Sequence, residues 1–331
     1  MSELPWPTGA ATGIGSLPGT DIVEAVKTVL GELPELPYLP ELPARGPGAD
    51  MVGRSAGLLV AMPVELYAAR WRLAARPGAD ARRTNDLRDR DLDALTEQAD
   101  GYQGTLKIQS AGPWTLATNL ELRTGGPILR DPGAVRDLTG SLAEGLRAHI
   151  GELAARIPGA RLLLQLDEAS LPAVLAGQVP TESGFSTLPA VEETTAVEVL
   201  RTVVDAAGVP AIVHCCAPDA PVRLFQQTGA VGAALDLELV SDLEPLGEAL
   251  DDGFGLLAGA VPTRSRAPAP PPAAEVADRV RELWRRLGFA TERLPEQVVV
   301  TQACGLAGAT PEYARAALAV GRDAARRLAD G

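Results

Sequence analysis

The 331-residue chain carries 43 acidic and 30 basic side chains, a formal charge of -13. That charge repels nucleic-acid phosphates and anionic lipid headgroups alike, which excludes nucleic acid and membrane as partners. No apolar run reaches the roughly 18 residues of a membrane span, the N-terminal MSELPWPTGA has no basic-then-apolar signal order, and three cysteines, two of them adjacent, make no disulfide framework, so a reduced protein of the cytoplasm is expected.

In chain order, Ala11–Gly19 (ATGIGSLPG) reads as a first strand and loop, and DIVEAVKTVLGEL as a first helix. A second strand falls near Leu36–Leu42, against its prolines. Residues 40–100 give no clear pattern. Beyond them, β-branched or leucine-rich runs alternate with amphipathic stretches, the order of βα units around a parallel sheet. The strands are Thr105–Ser110, Arg161–Glu168, Pro210–Cys216, Val231–Leu239, Gly255–Val261 and Glu296–Cys304. Helices read clearly over residues 131–157, 191–208, 273–288 and 311–330. No G-x-G-x-x-G turn opens a nucleotide site, so the fold class is a single (β/α)8 TIM barrel over residues 1–331, with a proline-rich surface loop at 267–272.

The active site of such a barrel lies at the C-terminal strand ends. Those ends carry Ser16, Gln109, Ser110, Asp167, Glu168, His214, Cys216, Asp236, Glu238 and Cys304. Side chains alternate along a strand, so in IVHCC, His214 and Cys216 share one face while Cys215 takes the other. Imidazole and thiolate suit zinc, which needs four ligands, or three and an open position when catalytic. Glu238 and Cys304 end later strands and are the available third and fourth donors. The other reading is a core histidine beside packed thiols. Glu168 and Asp167 equally suit a helix cap or a rim ion pair, and Trp114 suits a donor's ring or the core.

Taken together, TGIGSLPGT, SAGPWTL, LLQLDEASL, IVHCC, LDLEL and QACGL resemble, in order and across nearly the whole chain, the motifs of the C-terminal catalytic barrel of the cobalamin-independent methionine synthases. The resemblance implies methyl transfer to the thiol of homocysteine. It implies zinc held by His214, Cys216, Glu238 and Cys304, and homocysteine held by Ile14, Gly15, Ser16 and Asp167. Two positions depart from the family pattern. A glutamate that helps hold the amino acid falls, by the count from Ala49-Asp50-Met51-Val52, on Arg45, and a histidine proposed as the acid in methyl transfer falls on Arg264. Arginine does not give up its proton at neutral pH. Full-length relatives carry a preceding barrel that helps bind a polyglutamylated folate, so the donor is expected to be a methylfolate or, as in short relatives, a methylcorrinoid protein. Two alternatives stand beside the methyltransferase: a catalytically lapsed zinc- or thiol-binding barrel acting as a regulatory module, and a uroporphyrinogen-decarboxylase-like barrel that needs no zinc.

Overall fold

The computed structural model describes residues 4–263 and 269–330. Its strands are β1 (Val64–Tyr67), β2 (Arg70–Leu73), β3 (Gly104–Ala111), β4 (Leu120–Glu121), β5 (Ala160–Asp167), β6 (Ala211–Cys215), β7 (Gly232–Asp236), β8 (Gly255–Val261) and β9 (Val298–Gln302). Strands β3, β5, β6, β7, β8 and β9 pair in that order as one parallel sheet. Two N-terminal segments close the circle. Ala11 bridges Val300 of β9, Tyr38 bridges Lys107 of β3, and Ser16 bridges Glu41 between the two segments, all in parallel. The chain is therefore an eight-membered α/β barrel in which two members pair through isolated bridges. Pro37 and Pro40 explain the brevity of the second segment, because proline has no N–H to give a ladder.

Helices pack outside the sheet because their sequences bury one stripe. Asp21, Asp131 and Thr310 cap Ile22–Glu32, Pro132–Arg156 and Pro311–Ala329 with side-chain oxygens that accept first-turn N–H groups. Each such cap stabilises its helix by about 1 kcal/mol. The unclear stretch before residue 100 holds a helix, Ala79–Gln98, and the β1–β2 hairpin. That helix buries only Thr84, Asp91, Leu92, Ala94 and Leu95, too thin an apolar stripe to read from periodicity. The hairpin turns at Ala68 and Ala69, both left-handed at φ 47° and 64°, where Asn-Gly is the usual pair. With β4 it forms a small second sheet.

Inside the barrel, strand alternation sorts the side chains into layers. Trp6, Ile14, Leu36, Leu163, Ile212, Leu257 and Val299 pack as an apolar plug. Directly above it lie the buried polar groups Lys107, Gln109, Gln165, Asp167 and His214. Arg264, Arg266 and the first two residues of the proline-rich run lie outside the described residues. Pro272 immediately precedes the helix Ala273–Leu287. Among the described residues no helix is long and apolar enough to cross a membrane.

Candidate metal and substrate site

Strand β6 delivers His214 to the barrel axis and the chain then places Cys216 on the same side, while Cys215 packs into the helix-facing core. Burial pushes the Cys215 thiol up to about 12, which makes it an inert small hydrophobe. Cys304 follows β9. One ligand atom from each of His214, Cys216 and Cys304 lies within 4.8 Å of the others, and the two sulfurs are 3.1 Å apart. The thiols share one hydrogen bond, and that bond with the neighbouring imidazole holds Cys304 well below the usual thiol range while raising Cys216. His214 Nδ1 pairs with Asp167 Oδ1 at 2.8 Å. Burial opposes its charged form, yet Asp167 and Cys304 raise the imidazole to about 9. Its Nε2 is buried without a hydrogen-bond partner. A buried orphan nitrogen costs free energy unless something binds it. A carboxylate fixing Nδ1, with Nε2 and two sulfurs converging, is the donor chemistry of a zinc ligand set. The residues present fit the metal.

Glu238 does not join them. β7 ends at Asp236, short of the Leu239 expected from sequence, and the chain turns: Leu239 N–H donates to the Asp236 carbonyl at 3.0 Å and Glu238 N–H to Asp236 Oδ1 at 3.0 Å. Strand alternation stops applying there, so the Glu238 side chain swings outward, 74% exposed, to face Arg279 at 3.7 Å. Asp236 stays at the mouth. Burial raises its carboxyl, and Cys304 and His214 are close enough to act on it.

The other half of the mouth comes from the N-terminal segments, β3 and β5. The Ile14 carbonyl accepts from Lys107 Nζ at 3.0 Å and from Gln165 Nε2 at 2.8 Å. Gly15 and Ser16 follow, and neither their N–H groups nor the Ser16 hydroxyl makes a hydrogen bond among the described residues. Consecutive free N–H groups form an anion-binding concavity. Gly305, beside Cys304, has no Cβ because the Ser16 hydroxyl occupies that space, which ties this concavity to the thiol side. Asp167 Oδ1 is shared by Gln165 Nε2, at 2.7 Å, and His214. Glu168 plays the helix-cap part: its carboxylate accepts from Trp114 N–H, Thr115 N–H and the Thr115 hydroxyl at 2.8–3.0 Å. Burial raises it to about 7 against those bonds. Trp114 is core, its indole N–H donating to the Ala196 carbonyl.

Arg45 is not at the site. It grips the buried Asp91 with two hydrogen bonds at 2.6 and 2.9 Å, and Arg54 holds the same carboxylate. Arg54 also faces Glu41, 3.5 Å from Oε1, and Gln109 Nε2 donates to that oxygen at 3.2 Å. Glu41 thus brings a second carboxylate to the mouth, four residues before the position counted from sequence. Burial raises it, Arg54 opposes this, and Asp167 adds to it. Glu41, Lys107 and Gln165 escaped the sequence reading. The available signal was polar alternation within buried strands, K-x-Q in TLKIQS and Q-x-D in LLQLDE. On the same rim, a cavity of about 850 Å³ opens between the hairpin and the chain after β5, lined by Asp50, Trp71, Asn119, Ser170 and Gln178 among others.

A family model described as the catalytic domain of cobalamin-independent synthase matches residues 6–327. Among solved structures, a B12-independent methionine synthase from Shewanella sp. W3-18-1, in complex with selenomethionine, superposes with a TM-score of 0.66 at 14% identity, covering 97% of this chain and 98% of that one. A putative dihydrodipicolinate synthetase from Pseudomonas aeruginosa follows at 0.39 and 9% identity, covering 97% and 80%, a likeness too loose to argue from. No curated protein matches the chain at a significant level.

Proposed function

Since the chain belongs to the cobalamin-independent synthase catalytic-domain family and is a methyltransferase of that family, we propose that it moves a methyl group to the thiol of homocysteine, forming methionine, with zinc held by His214, Cys216 and Cys304. The observation that carries this reading is the buried, partnerless His214 Nε2 beside two sulfurs. A free thiol with pKa near ~8.5 is mostly protonated at neutral pH; zinc, when bound, supplies the charge that keeps a substrate thiol deprotonated.

The protein's own groups do the rest. Asp167 holds the Nδ1 proton of His214, which directs Nε2 at the metal position. The Gly15 and Ser16 N–H groups and the Ser16 hydroxyl receive the substrate carboxylate, while Asp167 and Glu41 receive its ammonium. The Asp167 charge helps to raise Glu41, and a cation between the two carboxylates relieves that repulsion. His214, Cys216 and Cys304 would hold the metal with room for the substrate sulfur beside them, and Glu238, turned outward, would have no part in it. The sulfur attacks the methyl carbon in line as the bond from that carbon to the folate nitrogen breaks, the nitrogen leaving with the electron pair and taking a proton from solvent, so placement of donor and acceptor is the main contribution to rate. The 850 Å³ cavity is within the size range of small-molecule sites, and we assign the donor, a methylfolate, to it. The whole chain acts as one catalytic barrel in the cytoplasm.

The test combines two measurements. Protein purified without chelator should hold close to one zinc per chain by plasma mass spectrometry, and it should form methionine from homocysteine with methyltetrahydrofolate. Methionine formed from methylcobalamin alone would replace the folate by a corrinoid donor; no metal uptake under reducing conditions would sink the zinc mechanism.

A further inference from the structure

Lys107 is the anomaly of the barrel interior: a fully buried lysine directly above an apolar plug, where burial lowers its amine to about 7 although Asp167 and Glu41 act against this. Burying an ammonium is costly unless its hydrogens are all used. They are: Nζ donates to Gln165 Oε1 at 2.8 Å, to the Ile14 carbonyl at 3.0 Å and to Gln109 Oε1 at 3.4 Å. The Tyr38 ring covers it at 5.2 Å.

A glutamine amide has a donor end and an acceptor end, and an ammonium, which only donates, pairs with the acceptor end. Lys107 therefore fixes which way both amides point. With Oε1 turned to Lys107, Gln165 must present its Nε2 hydrogens to the Ile14 carbonyl and to Asp167 Oδ1. Gln109, turned the same way, presents Nε2 to the Leu39 carbonyl and to Glu41 Oε1. One cation thus aims two amides, and the two amides aim the two carboxylates of the mouth. Holding the Ile14 carbonyl toward the barrel floor has a further effect. In a trans peptide the N–H points opposite to the C=O, so the Gly15 N–H points at the mouth, where it makes no bond of its own.

We propose that Lys107, acting through Gln165 and Gln109, is the positioning residue of the amino-acid site: it sets the Ile14–Ser16 backbone for the substrate carboxylate, and Asp167 and Glu41 for the substrate ammonium. It touches neither the substrate nor the metal ligands. The assignment of those two substrate groups rests on the homocysteine reading; the brace itself does not.

Two measurements on zinc-loaded protein test this with Lys107→Met, and with Gln165→Met in case the first variant fails to fold. The first is hydrogen exchange of the peptide spanning residues 12–17 without ligand, expected to quicken about tenfold or more in either variant while the zinc content stays at the wild-type value. The second is calorimetric affinity for L-homocysteine, for 3-aminopropanethiol, which lacks the carboxylate, and for 4-mercaptobutanoate, which lacks the amine. Wild type should prefer homocysteine over both, and Lys107→Met should lose about tenfold or more of that preference, each analogue losing less than homocysteine because it keeps only one of the two groups that the brace aims. Unchanged exchange, or a preference within twofold of wild type, overturns the proposal. Quickened exchange in a protein whose wild type does not bind homocysteine would instead sink the homocysteine reading and leave the brace standing.

Discussion

The two halves of the barrel mouth are built by different means. The half formed by β6 and β9 is made of rare side chains, one of two histidines and two of three cysteines in the chain, brought within 4.8 Å. The half formed by the N-terminal segments, β3 and β5 is made of common groups: backbone N–H, two glutamines, a lysine and two carboxylates. Reactivity in the first lies in the atoms themselves. In the second it lies in their direction, which neighbours several strands away impose. Substitutions should therefore act differently on the two, abolishing the first and detuning the second.

The sharpest contrast is expected at Cys216→Ser, which should lose zinc and with it all methionine formation, while Cys215→Ser keeps both; metal analysis of the pair decides. Next comes Asp167→Asn, the one residue shared by both halves. It should weaken zinc by about 10–100-fold and also raise KM for homocysteine, read by chelator competition and steady-state kinetics. An effect on one and not the other would divide the halves where the structure joins them. Glu41→Gln belongs to the second half alone and should raise KM by about 10–100-fold with zinc content intact. Behind Glu41, Arg54 and Arg88 together with burial lower His149 to about 3, burial most of all. An unfolded histidine binds its proton near ~6.5, so the folded state loses stability as pH falls from about 6.5 toward 3, by up to about 1.4 kcal/mol per pH unit. His149→Gln should flatten that part of a denaturation-versus-pH curve. The smallest effect is expected at Glu238→Ala, which should leave zinc stoichiometry and kcat as they are; loss of metal there would return Glu238 to the ligand set.

The same contrast decides what a reader of the sequence sees. His214 and Cys216 stand out because their types are scarce and because Cys216, one residue past β6, still falls on the side that strand alternation gives His214. β5 and β8 are likewise plain, since continuous apolar runs admit little else. Glu238 was misread because alternation was carried past the end of β7 into a turn. Arg45 was misread because counting back from Ala49 assumed a loop of fixed length, whereas the chain places its carboxylate at Glu41 and spends Arg45 on Asp91. The closing segments were hard to delimit for a physical reason: each pairs through single bridges with strands far along the chain, so little local pattern marks them. No property of Lys107 in isolation announces its role. Only the alternation of K-x-Q beside Q-x-D, once the strands are known to be neighbours, does so.

The bridge from Ala11 to Val300, with the bond from Leu306 N–H to the Ser16 carbonyl, also has a consequence for how the molecule is made. Ser16 is made well before Val300 and Leu306, although its other neighbour, Glu41, follows it closely in the chain. Until β9 and Leu306 have been made, the Gly15–Ser16 loop lacks that wall, and the sheet keeps an unpaired edge at β9's future place. Site and closure therefore arrive together, once β9 is in place. A nascent chain cut short before β9 would be inert and sticky rather than partly active, a form that quality control can recognise by its open edge.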